Sequence, residues 1–256
     1  MTAPPPAGPT GWTGPTGSLY GIGVGPGDPE LLTLKAHRLI RSCAVVAYFA
    51  AAGRESNARR VVAPHLVDGQ RELRLEYPVT TEALPDGVSY ETLLVDFYDE
   101  SAKHLGELLD DGADVALLCE GDPFFYGSYM YMHTRLAGAY PTVVVPAVPS
   151  IAAGAAVLGA PLVCRDEVLC VLSGVLPGEE IEARLRSAGA AVVLKLGRNL
   201  AKVRAAVERA GLLEHAHYVE RATMAEERVL PLAQVDPATA PYFSMVVIPS
   251  RTAPTR

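Results

Sequence analysis

Short runs of consecutive apolar residues alternate along the chain with longer stretches in which apolar residues recur every three or four positions, the two patterns that mark buried strands and amphipathic helices. Residues 18–24 read as a strand that breaks into a glycine-rich turn. Leu31, Leu34, Leu39 and Ile40 give one apolar face to a helix over 29–43. Residues 44–49 suit a second strand, 57–64 a short helix with Arg59 and Arg60 on a basic face, and 77–89 a turn-rich connection. A helix over 93–111 leads into 114–119, where Val and Leu follow one another without alternation, as in a parallel strand covered on both faces.

The second half repeats the alternation with different loops. Helices are expected over 127–136, 151–158, 179–188 and 199–210, and strands over 142–145, 168–172, 191–196 and 217–220. The last apolar run, 242–248, follows a turn rich in Pro and Ala and is expected as a final hairpin or edge strand. Strands alternating with helices of this length predict an α/β protein. The expected division is a tail over 1–17, a first α/β domain over 18–120 and a second over 121–250, with the boundary between about 119 and 146.

Composition adds exclusions. The 256 residues are 49% hydrophobic and 20% charged, enough apolar material for packed cores and too little charge for a disordered chain. Acidic residues outnumber basic ones 29 to 22, a net charge of −7, which argues against nucleic acid as a partner. No apolar run approaches the roughly 18 residues of a membrane span, and the start has no basic-then-apolar leader, so a cytoplasmic location is expected. Cys43, Cys119, Cys164 and Cys170 lie far apart without a CxxC pair and are expected as buried thiols. His133, His215 and His217 lack metal spacing, no GxSxG elbow occurs, and no metal is expected.

Glycine (23) and proline (21) are in excess, partly in the tail and partly in three loops that follow strands. In Gly21-Ile-Gly-Val-Gly-Pro-Gly-Asp28 the spacing is not GxGxxG, Pro26 removes a donor amide, and Asp28 puts an anion where a phosphate would sit. This loop reads either as a tight turn with Asp28 as N-cap or as a turn lining a cleft. Cys119-Glu-Gly-Asp-Pro-Phe-Phe-Tyr-Gly127 follows a buried strand, where α/β folds bind ligands. There Asp122 either caps a turn or accepts hydrogen bonds from a ligand, and Phe124, Phe125 and Tyr126 are otherwise core. Val145-Pro-Ala-Val-Pro-Ser-Ile-Ala-Ala-Gly154 opens a helix with little side-chain bulk, against which a ligand or another helix packs. Arg54, Arg59, Arg60, Lys195, Arg198, Lys202 and Arg204 are either solvated faces or a positive rim for a polyanion.

Taken in order, Gly23-Val-Gly-Pro-Gly-Asp-Pro-Glu-Leu-Leu-Thr-Leu-Lys-Ala36, Glu120-Gly-Asp-Pro-Phe-Phe-Tyr-Gly127, Val145-Pro-Ala-Val-Pro-Ser150 and Gly159-Ala-Pro-Leu162 resemble the tetrapyrrole methylase family. Ala47-Tyr-Phe49, Asn57-Ala-Arg-Arg60, Lys195-Leu-Gly-Arg-Asn199 and Tyr218-Val-Glu-Arg-Ala-Thr-Met224 are most similar to its members that methylate carbon 20 of precorrin-2. The resemblance implies two αβα domains with S-adenosylmethionine in the cleft between them, a tetrapyrrole substrate and a homodimer. Position by position, the family's cofactor contacts fall on Pro26, Glu120, Gly121, Asp122, Phe125, Pro149, Ser150, Leu196 and Ala222, mostly through backbone.

On the substrate side the resemblance implies Gly25 and Asp28, with Arg54, Arg59 and Arg60 as holders of the substrate carboxylates. The catalytic proton acceptor stays unassigned, with Asp28 and Tyr126 as candidates. Family members that act in siroheme synthesis carry an Asp where Phe49 stands, so that group does not transfer. Ala147 and Pro149 replace a common glycine and a common threonine. Two alternatives accompany the carbon-20 reading: the same methylation on a cobalt-loaded substrate, and a non-catalytic tetrapyrrole-binding protein of the same fold.

Overall fold

The computed structural model describes residues 16–79 and 89–252. The chain divides into two compact units, Met1–Val148 and Pro149–Arg256.

The first unit contains β1 (Leu19–Gly23), α1 (Leu34–Ser42), β2 (Val45–Ala51), α2 (Asn57–Val62), β3 (Arg71–Tyr77), α3 (Tyr90–Asp110), β4 (Val115–Cys119), α4 (Tyr129–Leu136) and β5 (Thr142–Val145). Its five strands are parallel in the order β3-β2-β4-β1-β5. The period of two along a strand explains the unbroken apolar run of β4. Val115, Leu117 and Cys119 pack with α3 and α4, while Ala116 and Leu118 pack with α1 and α2.

Several expectations are corrected here. The helix over 29–43 is two pieces. Asp28 Oδ1 accepts from the Glu30 amide (2.8 Å) and caps a single 3-10 turn, Pro29–Leu31, after which Thr33 Oγ1 accepts from the Ala36 amide (3.1 Å) and starts α1 afresh. β3 was not expected. Its sequence alternates, with Leu73, Leu75 and Tyr77 turned to the core and charged residues between them, as suits an edge strand. The expected turn-rich stretch lies mainly outside the described residues. So do residues 1–15 of the tail; Gly17, expected as part of that tail, is buried and its amide donates to Leu109 O (2.8 Å).

The domain boundary also moves, from 120/121 to Val148/Pro149. β5 pairs with β1 in parallel register (Leu19 with Thr142, Ile22 with Val145), which binds the whole β4–β5 connection into the first sheet.

The second unit contains α5 (Ser150–Leu158), β6 (Leu169–Ser173), α6 (Gly178–Ser187), β7 (Ala190–Leu194), α7 (Leu200–Arg209), β8 (His217–Glu220), β9 (Arg228–Pro231) and β10 (Ser244–Ile248). Its sheet runs β6-β7-β10-β8-β9. β6 and β7 are parallel and β10 is antiparallel to both of its neighbours. The expectation of an edge or hairpin position for the last strand is therefore wrong: β10 is central and all five of its residues are buried. β9, short and partly exposed, went unseen in the sequence and occupies the edge instead. α6 and α7 cover one face with Ile181, Leu185, Val203 and Val207, and α5 covers the other. α5 lies close on β10, since a Cβ at Gly154 would stand 2.7 Å from Met245 Sδ.

Candidate functional site

In the first unit the loops leaving β1 and β4 are joined. The Gly121 amide donates to Gly25 O (2.9 Å) and the Gly25 amide to Gly121 O (3.3 Å), an antiparallel bridge beyond the parallel sheet. Both residues are left-handed, at φ 79° and 63°. A side chain at Gly121 would meet nothing within 4 Å, so the loop presents bare backbone to open space.

Asp122 braces this arrangement. Oδ1 accepts from the Phe124 amide (2.9 Å) and Oδ2 from the Ala147 amide (3.0 Å), which ties the β4 loop to the β5 loop. Of the two readings of Asp122, the turn-capping one is thus present in the structure. The reading of the three aromatic residues as core fails for two of them: Phe124 is 50% and Tyr126 46% exposed, and only Phe125 is half-buried. Tyr126 has φ 58°, left-handed for a bulky side chain. Pro26 and Asp28 are half-buried, and the Asp28 carboxyl is engaged in its cap.

Glu120 touches water at its surface, yet desolvation holds its carboxyl above the usual carboxylate range, with the Ala58 amide in α2 pulling the other way. At the end of β2, Phe49 is buried and stacks on Tyr77 (centroids 5.6 Å). The Tyr77 hydroxyl shares a 2.5 Å hydrogen bond with Ser128 Oγ. Burial pushes the Tyr77 phenol far above its ordinary value, so it stays neutral, and no acidic residue replaces Phe49 at this position.

The basic residues divide. Arg54 and Arg60 are exposed, the first in the β2–α2 loop and the second on α2. Arg59 makes a two-pronged pair with Glu72 (2.9 and 3.0 Å) that pulls the Glu72 carboxyl below its usual range, so a substrate carboxylate there competes with a resident one. In the second unit Arg204 donates to Val235 O and Ala233 O, and Lys202 to Val175 O; these side chains tie loops together. Arg198 is exposed.

The other expected cofactor contacts lie in the second unit. Pro149 is the N-cap of α5, and its carbonyl accepts from the Ala152 and Ala153 amides; Ser150 begins the helix. Leu196 is fully buried just after β7. Ala222 is 5% exposed and sits between Arg221 (φ 48°) and Thr223 (φ 68°). Sequence reasoning missed Glu220, a buried carboxyl beside this loop; the available signal was an acidic residue closing the apolar run of β8. Cys43 and Cys119 are buried as expected, whereas Cys164 and Cys170 are only partly so, because one lies in a surface loop and the other on the edge strand β6.

Two α/β units, the first with glycine- and proline-rich loops leaving β1 and β4, define a two-domain α/β protein. More specifically, the chain belongs to the tetrapyrrole (corrin/porphyrin) methylases, whose family model matches residues 18–236. It is 47% identical to the precorrin-2 C(20)-methyltransferase of Sinorhizobium sp, over 91% of this chain and 95% of that one. It is 50% identical to the cobalamin biosynthesis protein CobIJ of Mycobacterium tuberculosis over 91% of this chain and 46% of that protein, so it spans about half the length of that relative. Among solved structures it is similar to uroporphyrin-III C-methyl transferase from Thermus thermophilus complexed with S-adenyl homocysteine (TM-score 0.62, 26% identity, 90% and 97% covered). Among the described residues no helix is long and apolar enough to cross a membrane.

Proposed function

We propose that this protein transfers the methyl group of S-adenosylmethionine to carbon 20 of precorrin-2, giving precorrin-3A in corrin ring biosynthesis. The observation that carries this is the similarity to the Sinorhizobium enzyme, which runs through nearly the whole of both chains. A solved relative bound to S-adenyl homocysteine supports the cofactor. The residues present suit a ligand held by backbone: open space before Gly121, small side chains at the start of α5, and an Ala222 whose amide and carbonyl bond no other described residue.

Bound S-adenosylmethionine supplies a methyl group already activated by its sulfonium, so no covalent enzyme intermediate is needed. The chain's task is to align the ring carbon and exclude water. Pro26, Glu120, Gly121, Asp122 and Phe125 of the first unit, and Pro149, Ser150, Leu196 and Ala222 of the second, are the proposed cofactor contacts. Asp122 acts by holding two loops together as well as by its place in the motif. Gly25 and Asp28 face the tetrapyrrole, and Arg54, Arg59 and Arg60 hold its carboxylates, with Arg59 shared with Glu72. Asp28 and Tyr126 remain the candidates for accepting the carbon-20 proton. We infer a homodimer working in the cytoplasm, from the family resemblance.

The test is methyl transfer from labelled S-adenosylmethionine to precorrin-2 made in the same tube. One methyl at carbon 20 is expected. Cofactor binding with no transfer to precorrin-2 or its cobalt form would overturn the carbon-20 assignment and leave family membership standing; transfer to the cobalt form alone would move the substrate to the metal-loaded ring.

A further inference from the structure

One buried carboxyl group holds the connection after β8 in an uncommon backbone conformation. Glu220, the last residue of β8, is 4% exposed. Its Oε1 accepts from Arg221 Nη1 (3.0 Å), and its Oε2 from the Tyr218 hydroxyl (2.9 Å) and from Arg228 Nη1 (3.4 Å). Arg228 is its cross-strand neighbour on β9, and Ser244 on β10 is its neighbour on the other side. Glu220 therefore grips both ends of the 221–228 connection from within the sheet. Charge-assisted hydrogen bonds in a buried place are strong, and leaving such a carboxyl or its partners unpaired is costly.

Between the gripped ends the chain is strained. Arg221 (φ 48°) and Thr223 (φ 68°) are both left-handed, a region that non-glycine residues enter only where their surroundings over-determine it. Among the bonds that hold it there, the Arg221 amide donates to Phe243 O (2.9 Å), the Met224 amide to Arg221 O (2.9 Å), and the Thr223 amide to Glu227 Oε2 (2.6 Å). Ala222 lies between the two strained residues, 5% exposed as a whole residue, and neither its amide nor its carbonyl bonds another described residue. This is the arrangement of a backbone edge kept ready for an external donor and acceptor.

We propose that Glu220 is a positioning residue: through Arg221 and Arg228 it fixes residues 221–223 so that the amide and carbonyl of Ala222 are presented to S-adenosylmethionine. The proposal rests on the methyltransferase reading, and the experiment separates the two. Binding of S-adenosylhomocysteine is measured by calorimetry on the full chain, with amide hydrogen exchange across 221–227 and steady-state kinetics alongside. Glu220→Gln keeps the shape and loses the charge, and should weaken binding about tenfold or more. It should speed exchange in the loop and raise KM for S-adenosylmethionine more than it lowers kcat. Arg228→Gln, on the exposed edge strand, should move the same readouts in the same direction by a smaller factor, and it carries the test if Glu220→Gln does not fold. Val207→Ala, a core change on α7, should lower Tm yet bind within about twofold of the wild type.

Normal wild-type binding together with unaltered binding and exchange in both loop variants overturns the role of Glu220 alone. Equal weakening by Val207→Ala also overturns it, since the effect would then be general destabilisation. A wild-type protein without affinity for S-adenosylhomocysteine overturns the methyltransferase reading and this proposal with it.

Discussion

At the scale of single residues, the loops after the strands are decided by backbone conformation and by a few carboxylates. Gly121 is left-handed with open space around its missing side chain, so Gly121→Ala adds strain of about 1 kcal/mol and no clash. A fall in Tm of a few degrees is expected. Gly121→Arg should remain folded, as judged by circular dichroism, and lose S-adenosylmethionine binding in calorimetry; full binding would refute the placement of the cofactor at this loop. Asp122→Ala strands two amides and should cost about 1–3 kcal/mol in urea unfolding, whereas Asp122→Asn keeps one acceptor and should cost less. Burial pushes both the Cys43 and the Cys119 thiol up to about 12. The folded protein then keeps protons that the unfolded chain gives up near the ordinary thiol value, so this contribution is present below that value and is lost as pH rises from about 8.5 towards 12. Thiol labelling at pH 8 should accordingly modify Cys164 and Cys170 before Cys43 and Cys119. The glycine spacing and the Gly-Asp-Pro turn were legible in the sequence because they are local. The partner of Asp122, 25 residues away at Ala147, was not, because it depends on two strand ends lying side by side.

At the scale of elements, a fully apolar run identifies a covered strand but not its neighbours. β4 was recognised and is central; β10 was recognised and assigned to the wrong place, because a chain's last strand can enter a sheet at an edge or between two strands with the same apolar sequence. β3 escaped notice because an edge strand of a parallel sheet needs only one apolar face, which Leu73, Leu75 and Tyr77 supply within a charged segment. Position in the sheet sets the cost of change. Leu117→Ala in β4 removes a fully buried side chain and should cost about 2–5 kcal/mol by denaturant unfolding. Glu72→Ala on β3 breaks a partly exposed ion pair with Arg59 and a hydrogen bond with Tyr48, and should cost about 1–2 kcal/mol.

At the scale of the whole molecule, a chain of charge −7 is proposed to take a substrate rich in carboxylates, which requires local positive charge against the overall balance. Arg54 and Arg60 are exposed on the first unit, so their contribution is screened by salt. Raising ionic strength from about 0.05 to about 0.5 M should raise KM for the tetrapyrrole several-fold and leave KM for S-adenosylmethionine within about twofold; equal shifts would separate these arginines from substrate binding. By itself the sequence determined the α/β class, most of the elements and the glycine- and proline-rich loops proposed to carry chemistry, since each of these follows from a period or a turn read within a short window. The tertiary structure decided that residues 121–148 belong with the first sheet, that β10 runs through the middle of the second, that Arg59 is paired with Glu72, and that Glu220 lies buried between two arginines. Those outcomes depend on strand order and on partners distant in sequence or across a sheet, and hydrophobic pattern fixes which face a residue turns to without fixing what stands opposite it.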